Sequence, residues 1–109
     1  SKIEENMERI EQIKTFLNDT PEDTFLNYAL AIEYVALAKD SEARIIFEKL
    51  LLRKPDYSAT YYHLGKLYER QEEDILAEEI YKKGMMVTKR LGEKHAHGEL
   101  RGAYEELTF

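Results

Sequence analysis

The sequence predicts an all-α fold, an α-solenoid of antiparallel helix pairs with about six helices. Three observations carry that prediction. Across 109 residues, 43% are hydrophobic and 35% charged, with 5 Gly, 2 Pro, no Trp and no Cys. Strong helix formers dominate and turn residues are scarce, which disfavours a turn-rich sandwich or barrel. Residues 24–57 laid over 58–91 without a gap pair Tyr28 with Tyr62, Leu30 with Leu64, Ala31 with Gly65, Tyr34 with Tyr68, Ala43 with Ala77 and Phe47 with Tyr81. Finally, residues 22–38 carry apolar side chains at Phe25, Tyr28, Leu30, Ala31, Ile32, Tyr34, Val35, Leu37 and Ala38, a band too wide for a helix packed on one side only.

The elements follow in order. Residues 3–18 form an amphipathic helix with Ile3, Met7, Ile10, Ile13, Phe16 and Leu17 on one stripe, placed where the second helix of a preceding unit would lie. Thr20 and Pro21 open the next helix as N-cap and first residue. Glu22–Ala38 and Ser41–Arg53 make one antiparallel pair, and Tyr61–Gln71 and Asp74–Arg90 make another. Asp40 and Asp74 are expected to cap the second helix of each pair. Gly65, inside a helical stretch, costs about 1 kcal/mol relative to Ala unless two helices approach closely there, with Ala77 expected to face it. Residues 94–107 place Ala96, Leu100, Ala103, Tyr104 and Leu107 on a terminal capping helix.

The second unit reads Tyr61-x2-Leu64-Gly65-x2-Tyr68, then Ala77-x3-Tyr81; the first reads Asn27-x2-Leu30-Ala31-x2-Tyr34, then Ala43-x3-Phe47, then Pro55. This spacing resembles the tetratricopeptide repeat, a helix–turn–helix unit with the pattern W-x2-L-G-x2-Y, A-x3-F and P. Asn27 departs from it where a large aromatic is usual, Leu50 where a small residue is usual and Lys89 where the closing proline is usual. The last departure implies a final repeat helix that runs on towards Gly92. The resemblance implies a single domain over 1–109, a right-handed solenoid with repeats at 24–57 and 58–91.

It also implies a concave groove lined by the first helix of each repeat. The residues expected to line a peptide-binding groove are Phe25, Tyr28 and Ile32 from the first repeat and Tyr62, His63, Lys66 and Arg70 from the second. Tyr34, Tyr68 and Tyr81 fall at consensus positions and read as core. Lys66 and Arg70 form a small basic patch suited to a carboxylate, although Glu69 and Glu73 nearby suit a solvated salt-bridged face equally well. Of the Lys and Asn clamp that some family members use on a C-terminal carboxylate, only Lys66 has a match, so that mode is not carried over.

Catalytic signals are poor. Without cysteine there is no thiol nucleophile and no Cys-ligated zinc site. His95 and His97 stand two apart, on different sides of a helix. Glu72, Glu73, Asp74, Glu78 and Glu79 form an acidic run of the kind that complements a helix dipole. Gly98 and Gly102 lack the strand that a phosphate-binding glycine loop must follow. No catalytic residue, cofactor or metal ligand is expected. A formal net charge of −6 removes any general attraction to nucleic acid or anionic lipid, so neither nucleic acid nor membrane is an expected partner. Charge is uneven: residues 24–57 and 58–91 are each balanced, and both ends are acidic. The start, Ser1 to Arg9, lacks the apolar run of a signal peptide, which makes the cytoplasm the expected compartment. The expected function is non-catalytic binding of a protein or peptide partner, as an adaptor or scaffold. The alternative is a structural module packing against another copy, as a homo-oligomer, or against another domain.

Overall fold

The computed structural model describes all 109 residues and is helical throughout: α1 (Lys2–Asp19), α2 (Thr24–Ala36), α3 (Asp40–Arg53), α4 (Ala59–Arg70), α5 (Asp74–Leu91) and α6 (Lys94–Thr108). The chain falls into two compact units, Ser1–Lys54 and Pro55–Phe109. No helix is long and apolar enough to cross a membrane.

In the first unit α2 packs on both α1 and α3, as its broad apolar band requires. The covered seam of α1 differs from the expected stripe. Ile10 is buried, and Ile13 and Leu17 are half-buried, but Ile3, Met7 and Phe16 lie exposed. Asn6, spaced with Ile10, Ile13 and Leu17 as on one helix face, extends the seam instead and is buried. Its Nδ2 donates to Glu33 Oε2 at 2.6 Å, and Arg9 Nε donates to Glu33 Oε1 at 2.7 Å, so one carboxylate of α2 holds two side chains of α1.

Helix starts sit slightly away from where the sequence places them. Thr20 is the C-cap of α1, and α2 begins after Asp23, whose carboxylate accepts from the Leu26 N–H at 2.8 Å. Asp40 and Asp74 are the first helical residues of α3 and α5; Lys39 and Glu73 hold the cap positions, with no side-chain cap bond. The physical reason lies one residue upstream. The turn out of each first helix is closed by Ala38 (φ 57°) and Glu72 (φ 59°) in the left-handed region, with Lys39 N–H donating to Tyr34 O and Glu73 N–H to Tyr68 O, both at 2.8 Å. That closed turn leads directly into the next helix, and the aspartates add their charge to its first turn.

In the second unit α5 packs on α4 and α6, and α4 also meets α6. Gly65 is buried at the close approach the sequence predicts, and the side chain nearest to it is that of Tyr81. A methyl on Gly65 would fall 2.6 Å from Cδ1 and Cζ of the Tyr81 ring. One turn further along α5, a Cβ on Gly84 would meet Tyr61 Cβ at 2.7 Å and Leu100 Cδ1 at 2.9 Å. Because α5 meets no proline, it runs to Leu91 and stops at Gly92 (φ 72°).

The departures from the repeat pattern are compensated in pairs. Tyr61 and Gly84 correspond to Asn27 and Leu50, so bulk on the first helix with none on the second becomes the reverse in the first unit, where Leu50 is fully buried. Asn27 also takes over the polar task of Tyr61. Asn27 Nδ2 donates to the Pro21 carbonyl at 3.1 Å, and the Tyr61 hydroxyl donates to the Pro55 carbonyl at 2.6 Å.

The left-handed turns yield a test. A non-glycine residue in that region costs roughly 1–2 kcal/mol, part of which glycine gives back through the entropy of the unfolded chain. Glu72→Gly and Ala38→Gly should each stabilise the fold by up to about 1 kcal/mol in denaturant titrations. A loss of stability in both would refute this account of the turns.

Candidate interaction site

Tyr62, His63, Lys66 and Glu69 are half-buried on α4 beside Gly65 and Leu64, which are buried in the helix pair. Their spacing brings Tyr62, Lys66 and Glu69 into one row. Lys66 Nζ stands 5.6 Å from the Tyr62 ring centroid and 3.8 Å from Glu69 Oε2. The same Glu69 oxygen accepts a short hydrogen bond from the hydroxyl of Tyr81, whose side chain is fully buried. Burial first, and then this bond to a carboxylate, push the Tyr81 phenol well above its ordinary range, so the hydroxyl keeps its proton and remains the donor. A core tyrosine thereby fixes a surface carboxylate, which in turn steers Lys66 across Tyr62. Arg70, the last residue of α4, is exposed.

Tyr62 and His63 pack edge to face, with ring centroids 6.0 Å apart. Both line a cleft of about 570 Å³ formed by the first turns of α4 and α6, together with Ala59, His95, Ala96 and Leu100. Glu93, Lys94 and Glu99 edge it. His95 Nε2 lies 3.6 Å from Glu99 Oε1, one turn along the same face of α6. Burial lowers the pKa of His63, and the positive charge of Arg70 lowers it further against an opposing pull from Glu99. At neutral pH, His63 therefore presents an uncharged ring to the cleft.

In the first unit Phe25 is 65% exposed, while Tyr28 and Ile32 are half-buried. The Tyr28 ring tilts against the buried Phe47, with centroids 6.3 Å apart. These three residues lie outside the cleft of about 300 Å³ that α1 forms with Tyr34 and Leu37.

Neither a family model nor a curated protein sequence matches the chain. Solved structures do. The solution structure of a tetratricopeptide repeat domain protein from Salinibacter ruber is 41% identical, covers 81% of this chain and 89% of its own, and superposes with a TM-score of 0.77. The chain belongs to the tetratricopeptide repeat family. The TPR2B domain of yeast Sti1 superposes with a TM-score of 0.87 at 14% identity, over 96% of this chain and 84% of that one. The Sgt2 TPR domain from Aspergillus fumigatus gives 0.80 at 20% identity, over 95% and 66%. At such identities the likeness is one of fold.

Among the groove residues that the repeat pattern implies, the structure brings Tyr62 and His63 into one cleft and links Lys66 to Tyr62 through the ring. The α6 wall was missed, because residues 94–107 read as a cap that only covers the last repeat. A signal was present: His95 and Glu99 stand four apart beside Ala96 and Leu100, so polar and apolar groups share one face.

The His63 environment predicts a titration. Its folded pKa lies below the ordinary 6.5, so the unfolded chain binds the proton more tightly. Its contribution to stability is whole above 6.5 and declines as pH falls through that value towards the lower folded pKa. NMR of the imidazole protons should give His63 a midpoint below 6.5, and Arg70→Gln should raise it. A His63 midpoint at or above 6.5 would contradict the environment described.

Proposed function

We propose that the chain is a non-catalytic interaction module, an adaptor or scaffold that holds a peptide or protein segment against the first helices of its repeats, α2 and α4. The cleft around Tyr62 and His63 carries this reading. Its volume of about 570 Å³ suits one or two apolar side chains of a partner. Its floor of Ala59, Ala96 and Leu100 is apolar, and the Tyr62 hydroxyl and the neutral His63 ring can orient backbone groups. Tyrosine offers such contact area at low cost in conformational entropy. On α2, exposed Phe25 with Tyr28 and Ile32 offers a second apolar strip, while Lys66 and Arg70 supply positive potential at the far end of α4. A family parallel supports the reading: the TPR2B domain of yeast Sti1 was solved as a complex with pHsp70.

Truncating a central aromatic contact commonly costs about 2 kcal/mol of binding. Tyr62→Ala and Phe25→Ala should each weaken a captured partner by at least tenfold, about 1.4 kcal/mol, whereas Lys83→Gln on α5 leaves it unchanged. A partner that binds all three variants like the parent does not use the first-helix face.

A second reading, self-assembly or docking against another domain, is favoured by one observation. Ile3 and Met7, one turn apart on α1, are 63% and 55% exposed, and Phe16, 63% exposed, lies on the opposite flank of the helix, apolar surface that its own unit leaves uncovered. Sedimentation velocity over a wide concentration range should then show a dimer that Met7→Lys with Phe16→Lys dissolves. A monomer at every concentration removes self-assembly.

A further inference from the structure

We propose that a second cleft, at the turn from α5 into α6, binds a phosphate monoester presented as a phosphorylated side chain of the peptide held in the apolar cleft; the peptide part rests on the function proposed above. The cleft is an open groove of about 400 Å³, and its lining includes Lys89, Gly92, Lys94, His97, Gly98 and Arg101. Glu93 is its one acidic group, so Lys89, Lys94 and Arg101 leave a local excess of two positive charges in a chain of net charge −6. A phosphoryl group carries roughly −1.5 to −2 at neutral pH and matches that excess, where a single carboxylate does not.

Two of these cations are also without an ion pair. Elsewhere in the second unit Lys66 pairs with Glu69 at 3.8 Å, Lys82 with Glu78 at 3.4 Å and Arg90 with Asp56. Lys89 and Lys94 have no carboxylate at ion-pair distance, and Arg101 has only Glu105, with Nε 3.6 Å from Oε1. Lys83 is unpaired as well, but Lys89, Lys94 and Arg101 are the cations that line one cavity together. Long-range attraction to a polyanion is absent, so the site suits a single charged group better than a nucleic-acid strand.

Gly98 supplies an independent observation. It lies inside α6, where glycine costs about 1 kcal/mol relative to alanine. Close packing explains neither it nor Gly102 one turn on, because a Cβ at either would meet nothing within 4 Å, and of the two only Gly98 lines the cleft. It falls between Lys94 and Arg101 on one helix face, so the missing side chain keeps the cavity open between the two cations. Glu93 and Lys94 line both clefts, which therefore meet at the start of α6. A segment anchored on Tyr62 and Leu100 can pass this rim and deliver its charged group.

The test is NMR titration of the 15N-labelled full chain with O-phosphoserine, with serine and acetate as controls. Phosphoserine should give saturable shifts over residues 88–101 with a dissociation constant of about 1 mM or tighter, and the controls should not. Lys89→Gln with Lys94→Gln should weaken binding by about tenfold or more, and Lys83→Gln should not. Gly98→Leu should match the double variant in lost binding while its thermal midpoint holds or rises, which separates a filled cavity from a damaged fold. Absent or unsaturable shifts, or unchanged affinity in both Gly98→Leu and the double variant, overturn the phosphate site. If the site falls while a captured partner still depends on Tyr62, the apolar cleft stands alone. Short peptides with leucine at varied spacing around a phosphoserine should bind more tightly than phosphoserine, and Tyr62→Ala should remove only that gain. Equal affinity for the peptides and the free amino acid overturns the assignment to a peptide partner and leaves a small phosphate ester as the ligand.

Discussion

The constraint on which the second unit depends is the contact of the Tyr81 ring with the bare backbone of Gly65. With no side chain on α4 at that point, α5 can approach until an entire aromatic ring is shielded from water, a burial worth roughly 1.5–3 kcal/mol. The same approach brings the phenol to the edge of α4, where it reaches Glu69. Packing and recognition are thus coupled through one side chain: the ring holds the hairpin, and the hydroxyl sets the carboxylate that orders Lys66 and Tyr62 on the outer face. In the first unit Phe47 takes the ring's place without the hydroxyl, and Ala31 stands where Gly65 does. Its outer face is accordingly more apolar, with Phe25, Tyr28 and Ile32 and no comparable polar chain.

The helices and their order were legible because their signals are local and redundant. The 34-residue echo of small and aromatic residues, together with Pro21 and Pro55, sets where the chain must turn. Helix starts were less legible, because Asp40 and Asp74 look like caps by residue type. The choice is made by left-handed Ala38 and Glu72, residues that carry no turn signal of their own. Asn6 was invisible for a similar reason. A polar side chain is assigned to the surface unless its distant partner is known, and Glu33 lies on another helix.

Half of the candidate site was legible in the same sense. Tyr62 follows from its repeat position, and His63 from its place beside the basic pair Lys66 and Arg70. Their opposite wall depends on how α6 settles against α4, a tertiary arrangement that pattern and propensity leave open. The commitment of Lys66 to Glu69 could be anticipated from spacing, whereas the Tyr81 hydroxyl behind Glu69 required coordinates. Gly98 illustrates the opposite case. The sequence flags a glycine that weakens its helix, and only the surrounding empty space shows that packing is not the reason.

The exchange of bulk between Asn27 with Leu50 and Tyr61 with Gly84 bears on how such a chain can be inherited. Tandem arrays grow and shrink by unequal recombination between their copies. A crossover falling within a hairpin would unite Tyr61 with a leucine or Asn27 with a glycine, leaving either a collision or a hole. Breakpoints in the turns before each first helix, near Pro21 and Pro55, keep the matched halves together. The heritable unit is then the whole hairpin, and a gene duplication that respects it can lengthen the array without repairing its core.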